Sequence, residues 1–283
     1  MNNSLRDLQL CEFEILKEVK RICEENRITY YLSSGTLLGA VRHNGFIPWD
    51  DDIDIEMPYQ DYKRFVKIAQ RELGNDYFLQ NKDTDRTFSS LFSKVRKNNT
   101  TMLSTYELGR PGHHGVWIDV FPILSIGGSF DLHFRKLCIR ICNFSLMDKE
   151  RFYLDQKWIR SQTSAVRFYC VKAMLHLPYC IRKSIHSLFS ALAMWGGSRK
   201  TKQKGVLWTE ISPIQPTEIY EGKDTTLTFE KEYFSVPPKY SQYLKNTYGN
   251  YMQPPPENQR NGGHGKLIID LENSWEQYNI APK

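Results

Sequence analysis

The chain has no uninterrupted apolar run approaching the ~18 residues a spanning helix needs, so a soluble or at most peripheral protein is expected. Its N-terminus, MNNSLRDLQLCEFEILKEVKR, lacks the apolar core of a signal peptide. There is no C-x-x-C and no paired zinc spacing. Cys11, Cys23, Cys138, Cys142, Cys170 and Cys180 are scattered and read as buried reduced thiols of a cytoplasmic protein. Internal repeats, low-complexity tracts and nucleic-acid recognition motifs are also absent, and no nucleic-acid partner is expected.

What remains is ordinary in bulk: 283 residues, 40% hydrophobic and 25% charged, enough to bury a substantial core as one large domain or two small ones. The net charge of +6 suits a phosphate-bearing ligand or an anionic membrane surface, and equally a plain solvated basic surface.

Charge of one sign is concentrated at a single place. Tyr31–Met57 ends in five carboxylates within seven residues: Asp50, Asp51, Asp52, Asp54 and Glu56. Ile53 and Ile55 predict a strand through them, which puts Asp50, Asp52, Asp54 and Glu56 on one face and Asp51 on the other. Like charges so arranged repel, and a hard divalent cation with oxygen ligands relieves them. A solvated acidic turn is the alternative. The isoleucines, which favour burial, and Pro48-Trp49 in place of Gly or Ser count against it.

Along the chain, Leu5–Cys23 has a helical apolar period and reads as a packing helix without chemistry of its own. Ile28–Ser33 reads as a buried strand, Leu37–Arg42 as a short helical turn, and Gln60–Leu73 as a second amphipathic helix. Ser90–Arg96 and Gly115–Phe121 are strand candidates, the latter closed by Pro122. Asp119 is the lone acid of that apolar run, costly to bury unless paired or metal-bound. After Gly127-Gly128 the chain turns helical, basic and aromatic to about Gly197. Gly196–Gly205 reads as a flexible connector, Val206–Ile211 as strand-like, and Tyr240–Tyr248 as a helix.

A Gly-Thr turn after a strand, then a short helix, then alternating acids is the arrangement that handles an activated phosphate. Backbone N–H groups around Ser34, Gly35 and Thr36 can cradle phosphate oxygens. Asp52, Asp54 and Asp50 can hold one or two Mg²⁺ ions, or Mn²⁺ in their place. Asp119 from a neighbouring strand would complete the coordination or take a proton from an attacking hydroxyl. Arg42, Lys94 and Arg96 are the candidate phosphate-binding cations.

The stretch GTLLGAVRHNGFIPWDDDIDI resembles the LicD family, which shares the nucleotidyltransferase fold and includes the fukutin-related transferases. SKVRKNNTT (93–101), HGVWIDVFPI (114–123) and the segment from Leu227 to Arg260 resemble further blocks of that family. The resemblance implies an α/β (α+β) fold: a nucleotidyltransferase-like core with a small mixed sheet flanked by helices, plus an inserted helical subdomain. The expected division is a catalytic core over 1–128, a helical subdomain over 129–205 and a C-terminal segment over 206–283 that packs back on the core.

It also implies Mg²⁺-dependent transfer of a phospho-alcohol from a CDP-alcohol donor to a glycan hydroxyl, with Asp52 and Asp54 as the metal pair and Asp119 as the third carboxylate. CDP-choline is the favoured donor, and the acceptor is a cell-surface glycan such as teichoic acid or lipo-oligosaccharide, lipid-linked at the inner membrane face. Relatives often carry paired histidines after the Pro-rich block. Here only His264 stands there, and it is kept as a candidate. Two other readings stay open: a nucleotidyltransferase that uses an NTP, and a catalytically silent binding member of the family.

Overall fold

The computed structural model describes residues 4–104, 107, 111–147, 152, 160, 164–265 and 267–278. Parts of the basic helical block, including 148–151, 153–159 and 161–163, lie outside the described residues.

The chain opens on α1 (Leu5–Glu25), started by a capping box in which Ser4 and Asp7 satisfy each other's backbone donors. Then come β1 (Tyr31–Leu32), α2 (Ser34–His43), β2 (Asp54–Pro58), α3 (Tyr59–Glu72), β3 (Tyr77–Gln80), β4 (Ser93–Lys97), β5 (Thr101–Ser104) and β6 (Trp117–Ile126). Among the described residues there follow the helices α4 (Ser129–Ser145), α5 (Ala165–Leu175) and α6 (Tyr179–Met194). The chain continues through β7 (Gln203–Leu207), β8 (Ile211–Pro216), β9 (Thr225–Phe229), β10 (Glu232–Val236), α7 (Tyr240–Tyr248) and β11 (Leu267–Asp270).

Seven strands form one mixed sheet in the order β1-β2-β6-β4-β3, with β7 on β6 and β8 on β7. Only β2 and β6 run parallel. The fold is α+β, as the sequence leads one to expect. Apolar positions Leu8, Ile15, Leu16 and Val19 of α1, and Phe65 and Ala69 of α3, join Ile55, Met57, Ile118 and Val120 of the sheet in the main core.

A second, smaller core joins Leu124 and Ile126, late in β6, to Cys138, Ile139 and Cys142 of α4 and Ala193 of α6. Buried Arg135 clips the two helices, donating to the carbonyls of Ala193 and Trp195 at the end of α6. The helical segment is thus fastened to the far half of the same strand whose near half carries Asp119.

β1 covers only Tyr31–Leu32 of the expected Ile28–Ser33, and β6 and β7 also depart from their expected bounds. β6 runs through Pro122 because Asp119 N–H points at β2, bonding Ile53 O at 2.9 Å, so Pro122 N falls on the opposite side. There, pairing with β4 has ended at Val120 and pairing with β7 begins only at Ile123, so the missing donor costs no ladder bond. The stretch read as a flexible connector to Gly205 already pairs from Gln203, opposite Ile126. Of the cysteines, Cys170 and Cys180 are exposed, and the other four are buried free thiols.

Candidate active site

The site forms where β1, β2, β6 and β4 lie side by side. β1 delivers Ser33 and Ser34 to the start of α2, with Ser34 at φ +46°. Gly35 has Asp50 against it, since a Cβ there would come 2.7 Å from Asp50 Oδ2. Only glycine lets this acid rest at the positive end of α2. Thr36 Oγ1 accepts the Asp54 N–H at 2.8 Å and ties the helix start to β2.

The acidic strand begins later than its sequence pattern suggests. β2 starts at Asp54, and Asp50–Ile53 is an irregular segment, so strict alternation does not hold there. Asp50, Asp51 and Asp52 each bring a carboxylate oxygen within 4.8 Å of the others, the one such set of three among the described residues. Asp51 therefore joins its neighbours instead of facing away. Glu56 leaves the group: it is fully buried and accepts from the hydroxyls of Ser33 (2.8 Å) and Tyr243 (3.3 Å).

Asp54 and Asp119 stand beside the triplet, directly opposite each other on the parallel pair β2–β6. Lys94 faces Asp119 from β4 and places Nζ 2.7 Å from Oδ1. That contact is charge against charge, without hydrogen-bond alignment, and leaves Oδ1 with no hydrogen-bond donor. Lys94 and Arg96 both lie on the ring of Trp117, at 4.2 and 4.8 Å from its centre.

The excess of acid shows in the titration of the group. Burial and then neighbouring carboxylates push Asp50 up to about 7 and raise Asp54 well above its ordinary range. Burial pushes Asp52 up to about 6, with Asp119 and Asp51 adding and His264 and Lys94 opposing. Burial also opposes ionisation of Asp51, but the His264 ring and the Gly263 and His264 N–H groups hold its pKa below the usual value. Gly263 N–H donates to Asp51 at 2.9 Å and His264 Nδ1 lies at 3.2 Å, which raises the histidine's pKa. A Cβ on Gly262 would sit 2.5 Å from Asp51, so glycine is what lets this C-terminal strap close on the acids. An oxygen-rich set of carboxylates that Lys94 offsets from within the sheet fits Mg²⁺ or Mn²⁺.

The expected cations divide. Lys94 is in the site. Arg42 sits at its rim, donating to Tyr251 O and lying 6.0 Å from the centre of Trp49, whose ring Arg260 also approaches. Arg96 is buried and commits donors to Gln80 and to Gly115 O, so it braces β4 against β6. Three residues were not singled out from the sequence. Tyr248 of α7 lies near Ser34 and feels Asp54, Asp50 and Asp52, Arg260 lies at the rim, and buried Glu12 feels the acids from α1.

Residues 27–130 match the sequence model of the LicD/FKTN/FKRP nucleotidyltransferase domain. This chain carries a LicD-family domain. It spans Ser34–Thr36, all the clustered aspartates and Lys94, whereas Glu12, Tyr248, Arg260 and His264 lie outside it.

Over 274 residues the chain is 29% identical to the lipopolysaccharide cholinephosphotransferase LicD of Haemophilus influenzae, covering 92% of this chain and 96% of that protein. A 69-residue segment is 33% identical to the human ribitol 5-phosphate transferase FKRP, covering 23% of this chain and 14% of that one. A 61-residue segment is 36% identical to the mouse ribitol-5-phosphate transferase FKTN, over 22% and 13% of the two chains. These likenesses support a phosphotransferase enzyme.

Proposed function

We propose that this LicD-type phosphotransferase moves phosphocholine from CDP-choline onto a hydroxyl of a cell-surface glycan, a lipo-oligosaccharide or teichoic acid, and releases CMP. The observation that carries this reading is the juxtaposition of Asp54 and Asp119 beside the Asp50–Asp52 triplet, at the start of a helix. So much carboxylate beside a helix N-terminus suits a metal-bridged pyrophosphate.

Asp50, Asp52, Asp54 and Asp119 would hold Mg²⁺, which supplies charge neutralisation to the phosphates. The N–H groups at the start of α2, about Ser34–Thr36, would bind phosphate oxygens, and Arg42 at the rim would draw the anionic donor in. Asp119 would take the proton of the acceptor hydroxyl. The hydroxyl oxygen forms a new bond to the phosphorus bearing choline, the bond from that phosphorus to the bridging oxygen breaks, and CMP leaves with the electron pair.

The basic helices would face the anionic inner membrane leaflet, where a lipid-linked acceptor resides. Phe130, Phe134 and Leu137 of α4, spaced i, i+4 and i+7, are exposed together, Phe130 at 87%. Residues 131–205 hold fifteen Lys and Arg against four Asp and Glu.

The description of the matched domain as a nucleotidyltransferase keeps one competing reading, attack on an NTP with loss of pyrophosphate. Incubation with Mg²⁺ and either CDP-choline or CTP separates the two. CMP from CDP-choline supports phosphocholine transfer, and pyrophosphate from CTP would replace it.

A further inference from the structure

Helix α1 lies outside the matched domain, yet it delivers one acidic side chain to the acid group. Along its inner face Leu8, Cys11, Ile15, Leu16 and Val19 are buried, and Glu12 interrupts them. Its side chain is fully buried, and among the described residues neither carboxylate oxygen has a hydrogen-bond partner. A carboxyl so placed costs about 1–3 kcal/mol that a leucine at the same position would not. The strongest charges acting on it are acidic, Asp52 foremost and then Asp51, Asp50 and Asp119. One turn earlier, Gln9 Nε2 donates to the carbonyls of Asp50 (3.0 Å) and Ile47 (3.4 Å). This face of α1 is thus fastened to the acidic loop itself, and Glu12 is buried on it one turn on from Gln9.

A buried acid among acids, with no basic group among its strongest charged neighbours, is explained if a cation from solution enters the group. We infer that Glu12 is a positioning residue of the divalent-cation site, setting the charge around Asp52 from helix α1. Helix α1 is then part of the site and not only its support. The inference rests on reading these acids as a cation site, and its test needs no donor substrate.

Mn²⁺ binding is measured by calorimetric titration, and thermal melts are recorded in EDTA, for the full chain and for Glu12→Gln, Glu12→Met and Asp52→Asn. Glu12→Gln and Glu12→Met are expected to weaken Mn²⁺ binding about tenfold or more, the scale of supporting groups around metal ligands. Glu12→Met is also expected to raise the metal-free Tm by about 3 °C, since an orphaned acid is replaced by an apolar chain of similar length. Lower affinity with higher metal-free stability is a combination that a packing role does not produce. If Asp52→Asn loses Mn²⁺ while both Glu12 variants bind it as tightly as the parent, the inference is overturned. If the parent itself binds no Mn²⁺, the cation site falls and this inference with it. Should Mn²⁺ behave as expected while no CDP-alcohol is cleaved, the donor assignment fails and the role of Glu12 stands.

Discussion

The matched domain and the helices that follow it handle charge in opposite ways. Residues 27–130 carry twelve acidic and twelve basic side chains, yet Asp50, Asp51, Asp52, Asp54 and Asp119 meet in one place, largely out of solvent. Residues 131–205 carry a large basic excess, and among the described residues Arg135 is the buried one, satisfied by Asp131 and two carbonyls. Dispersed surface charge costs little and attracts any anionic surface. Converged buried charge of one sign destabilises the fold and is kept only where it binds something. Chemistry is therefore expected from the first region and adhesion from the second.

The sharpest way to break that contrast is to remove single charges from the cluster. Asp52→Asn or Asp54→Asn should cut CMP release at least about a hundredfold with an unchanged far-UV CD spectrum. Activity surviving both changes would take the metal site out of the mechanism.

Lys94→Met tests the cluster's internal counter-charge. Breaking its buried pair with Asp119 should lower stability by about 3 kcal/mol in urea unfolding without metal, and added Mg²⁺ should restore part of the loss.

Metal removal gives a smaller effect with a definite sign. Asp50 and Asp52 have folded pKa values raised to about 7 and about 6, so the folded state binds more protons than the unfolded one between pH ~4 and ~7. Their contribution is fully present below the unfolded pKa and lost as pH rises through the folded one. In EDTA the urea midpoint should fall over this range, and Mg²⁺ should raise it more at pH 8 than at pH 5. An EDTA midpoint that climbs with pH would contradict the burial of unbalanced acid.

Least dramatic is the helical side. Lys136→Glu with Arg140→Glu, or Phe130→Ser with Phe134→Ser, should weaken sedimentation with anionic vesicles severalfold. CMP release from soluble CDP-choline should stay within about twofold.

Where local chemistry decided the structure, the sequence could be read. Helix α3 and α7 follow their apolar period and stops, and the Gly-Thr turn does open a helix beneath the acids. That Asp119 lies on a strand beside the acids was also legible, because a lone acid in an apolar run calls for a partner. Legibility ended where long-range contacts took over. The Asp50–Asp52 run looked like strand, but Gln9, Gly35 and the Gly262–His264 strap hold it as a loop, and these span up to two hundred residues of sequence. Arg96 reads as a phosphate ligand until its donors are seen to be occupied. Glu12 leaves one trace in the sequence, an acid four residues after Leu8 and three before Ile15 on the buried stripe, and the stripe by itself reads as packing.

CMP release from CDP-choline as a function of Mg²⁺, for the parent and for Asp52→Asn with Asp54→Asn, tests the central claim most directly. The expected result is CMP from the parent alone, rising with Mg²⁺ and abolished by EDTA. Equal release in EDTA, or undiminished release by the doubly substituted chain, would mean that the converged aspartates do not hold the working ion.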